Sequence, residues 1–530
     1  MTGDRTVLPS TTVLSVAPVD SLVSLARRRR RCRAGERESA LPDLPDLPEN
    51  FDVVVIGAGL AGMAAALGLV DAGLSVVVLE AAGRTGGRVH TLHRPDLPNG
   101  RLDLGARQIG IGYKRTWSLL RRFGLSTVDE DPELQSSCYF INEVLVSAAD
   151  WPRSNHNHLE EPFRLQPPNS LGPAWMAQIN PFESFTDWLD PRFSHLDVAP
   201  AALLRAEGAS EERLRLTALS ISGGDLWQHS TLALLQEHHR TMEELRTTST
   251  NRMPIADTDR AKAIMASAGI ERRPIQNIVG GTSALLDAVA GVLGDAVRFD
   301  SAVSSLSIVE GVTGGSRPCE VRTHDGRTFL ADRVVAAVPF TLLRSIVITP
   351  RPEPLLAEAI QTMPYLALSR TWARVQRPFW EDDGFAPSTF SDGGFGSCLI
   401  MRDPATGEYT AMFVASGATA KRVNANGMEA SMHNFLQGLV EARPAAKGAL
   451  APFAASSWEN EPFSKGLRHG FRPGDVTRFA PVLARPHGPG GRLHLAGEHT
   501  RREEFGMEAA LESSDRVVHE ILAGAGGNSA

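Results

Sequence analysis

Three of the stretches that read as strands are apolar at every residue instead of at alternate ones: Val53–Ile56, Val76–Leu79 and Val334–Val338. Such short runs of β-branched and small residues fit strands covered on both faces, as in the middle of a parallel sheet. A helix is expected over Met63–Asp71, between the first two runs, with Gly73 ending it. A basic amphipathic helix follows at about Tyr113–Phe123, then a strand at Val297–Val303, strands and turns within Glu320–Leu330, and a closing helix from Gly506 to Leu522. From Asp131 to Arg273 the strand–helix alternation stops, and Pro167, Pro168, Pro173, Pro181 and Pro191 break a helical, loop-rich segment. Ser369–Gln376 alternates with period two and puts Arg370, Trp372, Arg374 and Gln376 on one face of a strand.

The turn after the first apolar run adds chemistry to this pattern. It reads Gly57-Ala58-Gly59-Leu60-Ala61-Gly62. Gly57 allows a tight turn, Gly59 lets the backbone approach a pyrophosphate, and Gly62 lets the following helix pack on the strand. The start of that helix, with Leu60 and Ala61, presents its positive end to a phosphate. Glu80, followed by Ala81, closes the second strand where an acidic residue holds the 2′-hydroxyl of an adenosine ribose. Beyond it, Arg84-Thr85-Gly86-Gly87-Arg88 exposes backbone amides at Gly87 and adds the fixed charge of Arg88 for a second phosphate face. A dinucleotide site is expected, and what decides between NAD and FAD lies in this extension.

Composition narrows the class. With 530 residues, 42% of them hydrophobic, the chain is long enough for two lobes around a large core. A net charge of −7 gives no general attraction for nucleic acid. No run of about 18 apolar residues suggests an integral membrane segment. Cys32, Cys138, Cys319 and Cys398 lie far apart without a CxxC, which fits a cytoplasmic protein with free thiols. His229, His238 and His239 match no metal-site spacing, so no metal is expected and a solvated helix face is the preferred reading of Ser230–Arg240. Residues 1–50 read as a disordered tail or an upstream start-codon misassignment: Arg27–Arg31 is basic, Leu41–Pro48 is proline-punctuated, and the twin arginines lack the apolar segment of an export signal.

The Arg84–Arg88 turn, the Leu102-Asp103-Leu104-Gly105-Ala106 segment, Trp458–Gly466 and Leu493-His-Leu-Ala-Gly497-Glu498-His499-Thr500 together resemble the flavin amine oxidase superfamily over about Phe51 to Leu522. The resemblance implies α/β plus α+β architecture: a Rossmann-like FAD-binding domain of the GR2 type from 51–130, 274–340 and 457–523, and a discontinuous substrate-binding domain of mixed sheet and helices from 131–273 and 341–456. It places Gly105, Ala106, Arg107 and Gln108 along the flavin, Val303 on the adenine through its backbone, and Gly497 and Glu498 near the diphosphate or ribityl chain. It also aims the helix starting at Gly506 and Met507 at the flavin N1–C2=O edge.

Several positions depart from the family pattern. Where L-amino-acid oxidases carry a carboxylate-gripping arginine the chain has Gln108, and Arg107 stands one residue early. Leu467 occupies the place of the cysteine that tethers FAD in monoamine oxidases, so noncovalent FAD is expected. Arg468 stands where one ring of an amine cage is usual, beside Gly506 at the other cage position; this favours an acid-bearing or bulky amine. Arg370 replaces the family's lysine near flavin N5 and is the candidate catalytic cation, a carboxylate partner across the sheet being the alternative. The expected activity is oxidation of a C–N bond to an imine with O2 reduced to H2O2. The alternative is a flavin desaturase or isomerase acting on C–C bonds of an apolar metabolite. The expected partners are a small-molecule substrate and O2, and a homodimer stays open.

Overall fold

The computed structural model describes residues 48–97, 100–110, 112–129, 137–221, 225–247, 275–310, 317–403 and 406–526. The expected tail therefore lies outside the described residues up to position 47, as does all of 248–274.

An eight-stranded sheet carries the glycine-rich turn. Its strands are β1 (Glu49–Ile56), β2 (Val76–Leu79), β3 (Val297–Arg298), β4 (Val303–Ile308), β5 (Cys319–Thr323), β6 (Thr328–Ala336), β7 (Val347–Thr349) and β8 (Leu493–Leu495). The order is β3-β2-β1-β6-β5-β4-β7, with β8 also on β6. All contacts among β3, β2, β1, β6 and β8 are parallel. The long β6 serves two neighbours on one side, pairing through Thr328–Ala331 with β5 antiparallel and through Val334–Ala336 with β8. The uninterrupted apolar runs are explained by burial on both faces. Val53, Val55, Val76 and Val78 pack with Met63, Leu67, Leu511 and Val517, whereas Val54, Ile56, Val77 and Leu79 pack with the opposite core that includes Phe340 and Phe479. Helix α1 (Leu60–Asp71) and the helix Gly506–Gly526 approach closely: a Cβ on Gly68 would sit 3.0 Å from Val518.

Three expectations change. β1 starts at Glu49, inside the segment assigned to the tail. Val297–Val303 is not one strand, because Asp300 takes φ +51 and splits it into β3 and the start of β4. The middle segment is not wholly helix and loop: strands Ser137–Ile141 and Val144–Val146 form a hairpin whose two turn residues, Asn142 and Glu143, have φ +52 and +63, as a two-residue primed turn requires.

That hairpin completes a seven-stranded sheet with Ser388–Ser391, Ser397–Arg402, Tyr409–Ser416, Leu368–Val375 and Leu450–Ser457. Its core includes Phe379, Phe395, Phe413 and Phe435. No helix of the described residues is long and apolar enough to cross a membrane.

Candidate active site

The carboxyl ends of β1, β6 and β8 come side by side: Ala337 N donates to Ile56 O at 2.9 Å, and Ala496 N donates to Ala336 O at 3.0 Å. The turns leaving these strands therefore face one space, a cavity of about 450 Å³. From the glycine-rich end it is lined by Gly57, Gly59, Leu60, Ala61, Glu80, Ala81, Gly87 and Arg88. Gly105, Ala106, Val303 and Arg370 line it further along, and Leu467, Arg468, Gly497, Glu498, His499, Gly506 and Met507 complete the wall.

The three glycines of the turn differ in what surrounds them. Gly57 has φ +101, and a Cβ there would meet Val338 at 2.9 Å. A Cβ on Gly62 would lie 2.0 Å from Gly57 O, so Gly62 sets the approach of α1 to β1 without lining the cavity. A Cβ on Gly59 would meet no protein atom within 4 Å.

Glu80 is 8% exposed. Its Oε2 accepts from Ala58 N at 2.7 Å and its Oε1 from Ala82 N at 2.8 Å. Burial pushes its pKa up against these bonds. Arg88 Nη1 donates to Leu467 O at 2.8 Å, tying the first turn to the C-terminal segment.

A charge network runs behind the opposite wall. Glu237, on the helix Thr231–Thr247, accepts at 2.8 Å from Arg468 Nη1 and at 2.7 Å from Arg501 Nη1. Burial opposes ionisation of Glu237, but Arg468 and Arg501 bring its pKa down to about 2. Glu498 is 6% exposed and accepts from His469 Nδ1 at 2.8 Å. Burial opposes its ionisation too, and His469, Arg501 and Arg468 overcome that to hold it below the ordinary carboxylate range. These contacts correct the reading of Ser230–Arg240 as a solvated face. Gln236, His239 and Arg240 are buried, because Gln236 donates to Glu503 O and Arg240 pairs with Glu504 at 2.6 Å.

A model of the family described as flavin containing amine oxidoreductase matches residues 60–522. The chain belongs to that family. A Danio rerio flavin-containing amine oxidase is 26% identical over 90% of the chain and 86% of its own length. The Homo sapiens flavin-containing amine oxidase B is also 26% identical, over 90% and 87%. Among solved structures, putrescine oxidase bound to putrescine has a TM-score of 0.69 at 20% identity, covering 90% of this chain and all of that one. Cyclohexylamine oxidase from Brevibacterium oxydans has 0.67 at 22%, covering 91% and 100%. These likenesses show a shared fold.

As a flavin-containing oxidoreductase, the chain has groups that fit such a cofactor. The unobstructed Gly59 leaves room for a pyrophosphate against the start of α1. Glu498 Oε1 is buried without a hydrogen-bond partner among the described residues, with Arg501 Nη1 3.7 Å away, and is an acceptor suited to a sugar hydroxyl. Arg370 Nη1 donates to Gly105 O at 3.1 Å, and its Nε is buried and unpartnered. Burial, then Arg107, pushes the Arg370 pKa down to about 10, which leaves it a cation at neutral pH. Its hydrogen bond goes to a backbone carbonyl and no carboxylate pairs with it among the described residues, so the paired-arginine alternative finds no support.

Two expectations for this wall are not met. Arg107 and Gln108 do not line the cavity, and Gln108 is exposed, because the neighbouring Ile109 turns inward where Ile109–Gly110 pairs with Ile275–Gln276. Arg468 reaches the cavity but is not an open cation, since Glu237 already meets its guanidinium. Sequence reasoning missed Glu237, His469 and His499. His499 was in view inside the Gly497–Thr500 motif, whereas nothing near Glu237 in the chain marks it as Arg468's partner.

Proposed function

We propose that this protein binds FAD noncovalently in the cavity and oxidises the C–N bond of an amine to an imine, with O2 reduced to H2O2. The observation that carries the reading is the single cavity joining the Gly57–Gly62 turn, Glu80, Glu498 and Arg370 in a chain of the amine oxidoreductase family. When bound, the flavin accepts the hydrogen and electron pair from the carbon beside nitrogen.

The protein's part is to hold and to polarise. Gly57, Gly59, Leu60 and Ala61 receive the pyrophosphate, Glu80 and Ala81 the adenosine ribose, and Val303 the adenine. Gly87 and Arg88 face the second phosphate side, Gly105 and Ala106 run along the flavin, and Gly497, Glu498, Gly506 and Met507 complete its seat. Arg370 cannot act as a base at working pH and serves as a fixed cation where charge develops. Leu467 offers no nucleophile for a covalent link. The eight-stranded sheet with its helices forms the FAD-binding domain, and the seven-stranded sheet with the helices of 137–247 forms the substrate-binding domain.

The putrescine and cyclohexylamine oxidases of like fold support an amine substrate. The case for an acid-bearing one rested on an unpaired Arg468, and Glu237 removes it; an amine with an uncharged tail fits the neutralised wall better. Peroxide release from a panel of alkylamines, diamines and amino acids tests the activity. Activity on none of them, with an apolar polyene oxidised or isomerised instead, would replace this reading by the C–C alternative. Acid precipitation should release all yellow colour into the supernatant; colour kept in the washed pellet would refute noncovalent binding.

A further inference from the structure

Buried polar atoms without partners are concentrated on one part of the cavity wall. Glu498 Oε1, His469 Nε2, Arg501 Nε and both ring nitrogens of His499 all lack a hydrogen-bond partner among the described residues, Glu498 Oε1 having only Arg501 Nη1 at 3.7 Å. His499 is the most extreme. It is 2% exposed, it lines the cavity, and its ring is fixed edge-on against Phe340 with centroids 4.5 Å apart. From behind, the ring is closed off by the backbone: a Cβ on Gly497 would fall 2.8 Å from His499 Nδ1. A buried imidazole with neither nitrogen bonded is costly unless something else supplies the partner.

The place of the residue says what that partner is. His499 follows β8, and β8 lies beside β6, which lies beside β1. His499 therefore stands at the same end of the sheet as the Gly57–Gly59 turn, displaced along the row of strand ends by about two strand spacings, roughly 10 Å. A dinucleotide whose pyrophosphate begins at the glycine turn carries its oxygen-rich middle across this distance. Resting on the FAD reading above, we propose that His499 is a cofactor-binding residue, a neutral imidazole that hydrogen-bonds the phosphate and hydroxyl span between the two ring systems of the dinucleotide. Burial, then His469 and Arg88, push its pKa down to about 3, so the ring stays neutral over the working range and offers one donor and one acceptor.

The test uses the full chain stripped of flavin and titrated with FAD, with thermal unfolding of the apoprotein measured alongside. His499→Leu and His499→Phe remove both nitrogens, and His499→Asn keeps a donor and an acceptor. The two apolar variants should raise the Kd for FAD tenfold or more while the apoprotein Tm holds or rises, because an unsatisfied polar group has been removed. His499→Asn should recover part of the affinity. A Kd within threefold of wild type in His499→Leu overturns the proposal. So does an apoprotein Tm that falls in both apolar variants as far as the FAD-bound Tm, which marks a structural histidine. If the wild-type chain takes up no FAD at all, it is the reading of the cavity that fails, and His499 falls with it.

Discussion

Gly59 and Gly62 stand three residues apart on the same turn, yet alanine should harm them in opposite ways. At Gly59 the backbone is extended, φ −71 and ψ 174, and a Cβ would meet no protein atom within 4 Å. Alanine fits that conformation, and restricting the unfolded chain stabilises by about 0.4–1 kcal/mol. The apoprotein of Gly59→Ala should therefore melt at the wild-type temperature or about a degree above it. Its methyl group, however, projects into the space a pyrophosphate needs, and FAD affinity should drop by about 10²-fold, roughly 2.7 kcal/mol. At Gly62 the Cβ would lie 2.0 Å from Gly57 O and 3.1 Å from the Ala337 methyl. That contact forces α1 off β1. Overpacking of this kind costs about 3 kcal/mol, and the better helix propensity of alanine returns about 1. Gly62→Ala should thus destabilise the apoprotein by about 2 kcal/mol or more. Thermal unfolding of both apoproteins and fluorescence titration with FAD separate the two effects. A Gly59→Ala protein that binds FAD within threefold of wild type would refute the assignment of the open side of the turn to the ligand.

Arg370→Met, at full FAD occupancy, should slow flavin reduction by substrate or reoxidation by air by about 10² in stopped flow; both rates within threefold of wild type would reduce Arg370 to a packing residue. Glu237→Gln leaves Arg468 and Arg501 without their shared carboxylate, and should cost about 3 kcal/mol in urea unfolding; a loss under about 1 kcal/mol would show that the pair is solvated. His499 contributes one part of the pH dependence of the apoprotein, because its pKa falls from 6.5 in the unfolded chain to about 3 in the folded one. Below pH 6.5 the unfolded state takes up the proton that the folded state refuses, so stability falls with pH by about 1.4 kcal/mol per unit. Wild type should lose roughly 2 kcal/mol more than His499→Leu between pH 6.5 and 5, and parallel stability curves would exclude a buried neutral ring.

The sequence by itself determined those features that neighbouring residues dictate to one another. Val53–Ile56 and Val76–Leu79 had to be strands covered on both faces, and Gly57, Gly59 and Gly62 answer separate requirements for positive φ, open space and close helix approach. All three are local steric demands, so a dozen consecutive residues suffice to express them. The family membership was legible for the same reason, since its motifs are turns of this kind. Only the tertiary structure decided how Arg468 is used: its carboxylate is Glu237, 231 residues earlier on a helix that sequence pattern gave to solvent. Likewise, Asp300 breaks an apparent strand because Ser301 N donates to Glu80 O across the sheet, and Ser137–Ile141 becomes a strand by pairing with Ser388–Ser391. A charge or a strand edge is satisfied by whatever the fold brings within about 3 Å, and that partner leaves no trace in the residues beside it.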